Sequence, residues 1–181
     1  GSQTIKKDDI DGVVKTLTSK FLTQGKKTIE FERKISNYVN SKYSVSTNSG
    51  TSGLHIACLA LGVSKKDIVW TVPLTWVASA NCALLCGAKI DFVDINEKNL
   101  NICIDSLNKK LLYAKKYNKL PKVLVVVHFA GNPCNLNKIF KLSKKYNFKI
   151  IEDAAHALGS SYEKSKIGSC KFSDLTVFSF H

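Results

Sequence analysis

The chain has 181 residues, of which 44% are hydrophobic and 23% charged, ordinary globular usage that allows one large domain and excludes wholesale disorder. Its net charge of +13 is a reason to weigh nucleic-acid binding, but Arg33 is the only arginine, and readers of nucleic acid exploit Arg forks. Paired lysines such as Lys65-Lys66 and Lys144-Lys145 read instead as solvated helix surface, and the longest apolar runs, such as Val123–Val127, are too short to cross a bilayer.

In chain order, Asp8–Ser19 reads as a helix with Ile10, Val13, Val14 and Leu17 on its apolar face. After a loop at Phe21–Gly25, Thr28–Val39 reads as a second helix with Ile29, Phe31 and Ile35 inward. Tyr43–Thr47 reads as a short strand, followed by a turn at Asn48-Ser49-Gly50 and an apolar helix over Thr51–Leu61. Ile68–Thr71 is strand-like and Pro73 ends it; Trp76–Cys86 is a buried-looking helix closed by Gly87. A strand over Lys89–Val93 and a helix over Ser106–Tyr113 follow. Lys122–His128 is a continuous apolar run of the kind covered on both faces, then come a helix over Asn135–Tyr146, a strand over Phe148–Ile151 and a last strand over Asp174–Phe180. This alternation predicts an α/β fold, a mostly parallel sheet with helices on both faces, whose ligands bind beyond the carboxyl ends of the strands.

Six cysteines, at 58, 82, 86, 103, 134 and 170, form no Cys-x-x-Cys pair, so neither a metal site nor a disulfide frame is expected. With no recognisable leader, reduced thiols point to the cytoplasm. The chain holds no methionine and closes on the apolar run Leu175–His181, and it is expected to be part of a longer protein.

Four segments at expected strand ends carry chemistry. Thr47–Gly53 is a small-residue turn opening a helix. Thr51 and Ser52 there add hydroxyls to free N–H groups at the positive end of the helix dipole, which suits a phosphate, although such residues also serve as plain caps. Asp153 follows an apolar strand and needs a donor or a cation; it reads either as the cap of the next turn or as the partner of a protonated ring nitrogen. His156, one turn on, lies against the same ring or is a hydrogen-bonded core histidine. Trp76 offers a flat indole to a planar ligand or packs in the core, and Ser179 ends an apolar strand with another hydroxyl. Together these groups ask for a phosphate, an aromatic ring and a protonatable nitrogen, which pyridoxal 5'-phosphate combines. That cofactor also needs a Schiff-base lysine, and no lysine here follows a strand end in a suitable setting.

The segments Leu22-Thr-Gln-Gly25 with Phe31-Glu32, Asn48-Ser-Gly-Thr-Ser52, Pro73-Leu-Thr-Trp76, His128-Phe-Ala-Gly131 with Pro133, Glu152–Gly159 and Phe178-Ser-Phe-His181 occur in that order over nearly the whole chain. The ordered set resembles the DegT/DnrJ/StrS family of pyridoxal-phosphate-dependent sugar-nucleotide aminotransferases. Leu22–Gly25, His156–Ser160 and Ser179–His181 look most like the members that aminate a UDP-linked 4-keto-6-deoxy amino sugar in pseudaminic acid synthesis. The resemblance implies an aspartate-aminotransferase-like (fold type I) large domain, with residues 1–181 its N-terminal part and the remaining strands and small C-terminal domain absent. It implies that Thr51, Ser52 and Ser179 hold the cofactor phosphate, Trp76 stacks on the pyridine, Asp153 pairs with its nitrogen and His156 contacts the ring. Thr23, Gln24 and Gly25 are implied as sugar contacts, and the Schiff-base lysine is expected about three positions past His181. Glutamate as amino donor, a sugar-nucleotide substrate and a homodimer are implied likewise, with no nucleic-acid or membrane partner. A histidine in place of that lysine would imply a 3-dehydratase using the amine form of the cofactor, and a noncatalytic basic nucleic-acid-binding module is the remaining alternative.

Overall fold

The apolar run Val123–Val127 is buried throughout, as only a strand covered on both faces can be. The computed structural model describes residues 3–23 and 25–181. Its elements are α1 (Lys7–Leu17), α2 (Lys26–Val39), α3 (Gly50–Ala60), β1 (Ile68–Thr71), α4 (Ala78–Leu85), β2 (Lys89–Phe92) and α5 (Ile104–Lys116). They continue with β3 (Val123–Val127), a 3₁₀ turn at Phe129–Gly131, α6 (Leu136–Tyr146), β4 (Lys149–Asp153), β5 (Ser161–Tyr162), β6 (Ser165–Lys166) and β7 (Leu175–Val177). The main sheet runs β2-β1-β3-β4-β7 with every pairing parallel, and β5 and β6 form a separate antiparallel hairpin.

Successive strand residues divide between two cores, as the two-residue period of a strand requires. Val69, Val123, Val125 and Ile151 face Leu54, Ala57 and Cys58 of α3 and Ala78, Cys82 and Ala83 of α4. Trp70, Leu124, Val126 and Ile150 face Leu107 and Leu111 of α5 and Leu136 and Ile139 of α6. The fold class is thus the one the alternation predicts. Leu107, Leu111 and Ile139 have no exposed surface, and burying each such side chain contributes about 1.5–3 kcal/mol.

The structure corrects several local expectations. α1 is a helix, but Ile10, Val13, Val14 and Leu17 are each more than half exposed and none of its residues is buried. Its stripe stays largely uncovered among the described residues. In α2, Ile29 and Phe31 are exposed, Ile35 is half-buried, and Val39 is the residue that reaches the core. Tyr43–Thr47 forms no strand; side chains rather than a hydrogen-bonded ladder hold it. The helix expected from Trp76 begins at Ala78, which leaves Trp76 on the connection after β1. The β5–β6 hairpin escapes the sequence because its turn uses Glu163 and Lys164, both at positive φ, where a glycine or asparagine would have signalled it.

Candidate cofactor site

Asp153 ends β4 two residues after Ile151, so it projects on the α3–α4 side of the sheet. There Ser79 Oγ of α4 donates to Asp153 Oδ2 at 2.5 Å, and the Ala155 N–H donates to Oδ1 at 3.2 Å. Ser79 Oγ lies 3.1 Å from Thr75 Oγ1 as well. Asp153 therefore does cap the next turn, yet one donor on each oxygen leaves a carboxylate with acceptor capacity to spare. It is buried, at 6% exposure, so that capacity awaits a donor other than bulk water.

Trp76 stands one turn before Ser79, whose N–H donates to the Trp76 carbonyl at 3.2 Å. The tryptophan is 77% exposed, which removes the reading of it as packing core. His156 is exposed too and is not a core histidine. Its backbone is fixed by Gly131: a Cβ on that glycine would lie 2.6 Å from the His156 carbonyl oxygen.

At the start of α3 the cap is Ser49, a residue whose role the sequence reading left unassigned. Its Oγ accepts the Ser52 N–H at 3.1 Å and donates to Ser52 Oγ at 3.0 Å, while Thr47 Oγ1 donates to the Ser49 carbonyl at 2.8 Å. A Cβ on Gly50 would stand 3.5 Å from Ser179 Cβ and 3.8 Å from its Oγ. Thr51 and Ser52, in the first turn of α3, and Ser179, just beyond β7, thus border one cradle. Ser179 Oγ also accepts the His181 N–H at 3.3 Å. The cradle connects to Asp153 through β7: a Cβ on Gly53 would meet Val177 Cγ1 at 2.9 Å, and Val177 pairs with Asp153 in register. Thr23 is exposed and Gly25 is the N-cap of α2; Gln24 lies outside the described residues.

Behind the site, on the other face of the sheet, is a buried polar cluster that sequence reasoning missed. His128 Nε2 lies 2.7 Å from Glu152 Oε2, and both side chains are almost fully buried. The Cys134 N–H donates to His128 Nδ1 at 3.1 Å, which places the imidazole proton on Nε2 and makes His128 the donor to Glu152. Ser173 Oγ and Thr176 Oγ1 donate to the second oxygen, Oε1, of Glu152. A signal was present: a carboxylate within a buried strand demands donors, and a histidine ends the neighbouring strand at nearly the same level.

These residues fit pyridoxal 5'-phosphate. Helix-start N–H groups without intrahelical acceptors, three hydroxyls and a glycine that admits Ser179 suit a phosphate. A buried carboxylate with spare acceptor capacity suits a protonated ring nitrogen. The six cysteines are free, and among the described residues no group of three or more His, Cys, Asp or Glu is arranged to hold a metal. No helix among them is long and apolar enough to cross a membrane.

Known proteins share this arrangement of chain. The UDP-4-amino-4,6-dideoxy-N-acetyl-beta-L-altrosamine transaminase of Campylobacter jejuni serotype O:2 is 45% identical over 179 residues, 99% of this chain and 46% of that protein. Helicobacter pylori PseC, an aminotransferase involved in the biosynthesis of pseudoaminic acid, superposes with a TM-score of 0.86 at 32% identity, over 98% of this chain and 46% of that one. Spr1654 of Streptococcus pneumoniae, a proposed sugar aminotransferase solved in its PLP-form, gives a TM-score of 0.86 at 31% identity over 98% of this chain and 47% of its own. The chain spans a little under half the length of these relatives. Residues 3–181 match the DegT/DnrJ/EryC1/StrS aminotransferase family, a family of pyridoxal-phosphate-dependent enzymes, and the chain belongs to it.

Proposed function

We propose that the chain is the N-terminal part of the cofactor-binding large domain of an enzyme that moves an amino group, from glutamate, onto a 4-keto-6-deoxy sugar nucleotide on the way to a nonulosonic acid. The observation that carries the reading is the joining, through Gly53 and Val177, of a buried carboxylate at Asp153 to a cradle of helix-start N–H groups and hydroxyls. The Campylobacter transaminases at 45% and 42% identity support the substrate class. The working protein is a cytoplasmic homodimer in this reading, and its Schiff-base lysine follows His181.

Bound there, pyridoxal phosphate supplies an electron sink for the carbon that gains or loses the amino group. Thr51, Ser52 and Ser179 bind the phosphate, with the first turn of α3 adding its dipole. Asp153 keeps the ring nitrogen protonated, and Ser79 orients Asp153 through Oδ2. Trp76, exposed one turn before Ser79, would stack on the ring and keep water from it, and His156 would contact the ring. Thr23, Gln24 and Gly25 contribute to the sugar side.

The test is to express the protein to its natural end and titrate it with pyridoxal phosphate. Cofactor absorbance together with glutamate-dependent amination of a 4-keto sugar nucleotide is the expected result. A full-length protein that takes up no cofactor overturns the reading, and a histidine where the lysine is expected moves it to sugar dehydration.

A further inference from the structure

The adjacent residues Phe31 and Glu32 of α2 reach opposite sides of the phosphate cradle. Glu32 Oε1 accepts both the Ser46 N–H at 2.7 Å and the Ser46 Oγ–H at 2.8 Å. Ser46 belongs to the segment that feeds the α3 cap, and it has no strand to hold it. The next residue, Thr47, fixes the Ser49 carbonyl at 2.8 Å. The Phe31 ring meets Phe180 edge to face, with centroids 5.0 Å apart and planes at 74°. Phe180 directly follows Ser179, the hydroxyl on the far side of Gly50. One turn of one helix thus grips the chain entering the cradle and the chain leaving it.

We infer that Phe31 and Glu32 are positioning residues for the phosphate cradle, setting the separation between the first turn of α3 and Ser179. The inference rests on the proposed cofactor reading and assigns the phosphate end of the site to α2. Neither Tyr43–Thr47 nor Ser179–His181 lies in a hydrogen-bonded ladder, so beyond the packing of Gly53 on Val177 their spacing rests on side-chain contacts. An aromatic edge-to-face pair attracts beyond the area it buries, and a carboxylate accepting two donors holds them more strongly than a neutral acceptor does. The two Ser46 donors also hold the Glu32 carboxyl below the usual range, so it stays a carboxylate near neutrality.

Any structural defect would weaken cofactor binding, so the test compares two ligands that differ only in the phosphate. Full-length apoenzyme is titrated with pyridoxal phosphate and with pyridoxal, reading absorbance. Glu32→Ala and Phe31→Ala should each weaken pyridoxal phosphate about tenfold or more and change pyridoxal less than twofold. Glu32→Gln, whose amide oxygen still accepts from Ser46, should restore most of the phosphate-dependent affinity. Should Glu32→Ala fail to fold, Ser46→Ala replaces it, with a loss of about threefold confined to the phosphorylated ligand. Equal losses for both ligands, or no loss for either, overturn the inference while the functional reading stands. Wild-type enzyme that binds neither ligand removes the functional reading, and this inference with it.

Discussion

His128 donates from Nε2 to Glu152 across the ends of β3 and β4, 2.7 Å away and out of contact with water. Glu152 immediately precedes Asp153, so this bond anchors the strand end from which Asp153 projects to the opposite face. Glu152 accepts from His128 just past β3, from Thr176 of β7 and from Ser173 in the loop before β7.

Removing one partner of this cluster leaves the other buried without its donor or acceptor. His128→Leu or Glu152→Leu alone should cost about 3–5 kcal/mol in denaturant unfolding of the full-length protein. The double variant should cost clearly less than the sum, since each change then removes the group the other orphaned. Additive losses would show that the two residues act separately.

Asp153 and Ser79 should separate by the kind of damage their loss causes. Asp153→Asn keeps the shape but removes the charge, and should lower kcat by roughly a hundredfold or more while cofactor affinity, which the proposed function assigns to the phosphate end, changes far less. Ser79→Ala leaves the carboxylate in place without its hydroxyl donor, so turnover should fall less, with a stability loss of about 1–3 kcal/mol. Steady-state kinetics on full-length variants with a cofactor titration beside them decide this. A Ser79 variant as crippled as Asp153→Asn would mean that the carboxylate works only when the hydroxyl holds it.

How far the sequence disclosed all this depends on what each signal measured. The run Val123–Val127 and the spacing of Leu107, Leu111, Leu136 and Ile139 report burial directly, and the sheet with its two helical layers follows from them. The α1 stripe has the same periodicity yet faces outward, because periodicity shows that a helix has an apolar face and not what lies against it. Asp153 and Ser179 stand out in the sequence as polar residues at the ends of apolar strands, and Thr51 and Ser52 as hydroxyls in a small-residue turn that opens a helix; what they hold belongs to the proposed reading. Ser79 was not, since one serine in a helix of small residues gives no hint that a carboxylate lies 2.5 Å from its hydroxyl. Glu32 was legible only as a motif residue; its two bonds to Ser46 span fourteen positions and depend on how α2 docks.

The cysteines should differ sharply in reactivity. At the start of α5, the Ser106 hydroxyl, then the Ser106 and Asp105 backbone N–H groups, hold the Cys103 thiol below its usual range. The hydrogen bond with the neighbouring Cys82 thiol, and then burial, push Cys58 well up, and burial pushes Cys134 up to about 12. A lowered thiol carries more thiolate near neutrality, so alkylation of Cys103 should be fastest and should level off at a lower pH than that of Cys86, which burial raises. Mass spectrometry of peptides after timed alkylation of native protein reads the order. Labelling of Cys86 ahead of Cys103 would contradict it.

Two neighbouring residues in the turn after β3 should respond to substitution with opposite signs. Ala130 sits at φ +50°, a conformation that costs a side-chain-bearing residue about 1 kcal/mol, so Ala130→Gly should be neutral or stabilising despite the added freedom of the unfolded chain. Gly131 sits at φ +80°, and a Cβ there would lie 2.6 Å from the His156 carbonyl oxygen, a backbone atom that no side-chain rotation can move aside. Its own carbonyl accepts the Ser160 hydroxyl at 2.7 Å, so the loop carrying His156 is tied to this turn on both sides. Gly131→Ala should therefore destabilise by about 2 kcal/mol or more and displace His156, adding a loss of cofactor affinity that Ala130→Gly does not show. Melting temperatures with cofactor titrations on the two variants distinguish these outcomes. Matching losses in both would mean that the turn tolerates neither change for reasons of packing, and that its left-handed backbone is not what sets its sequence.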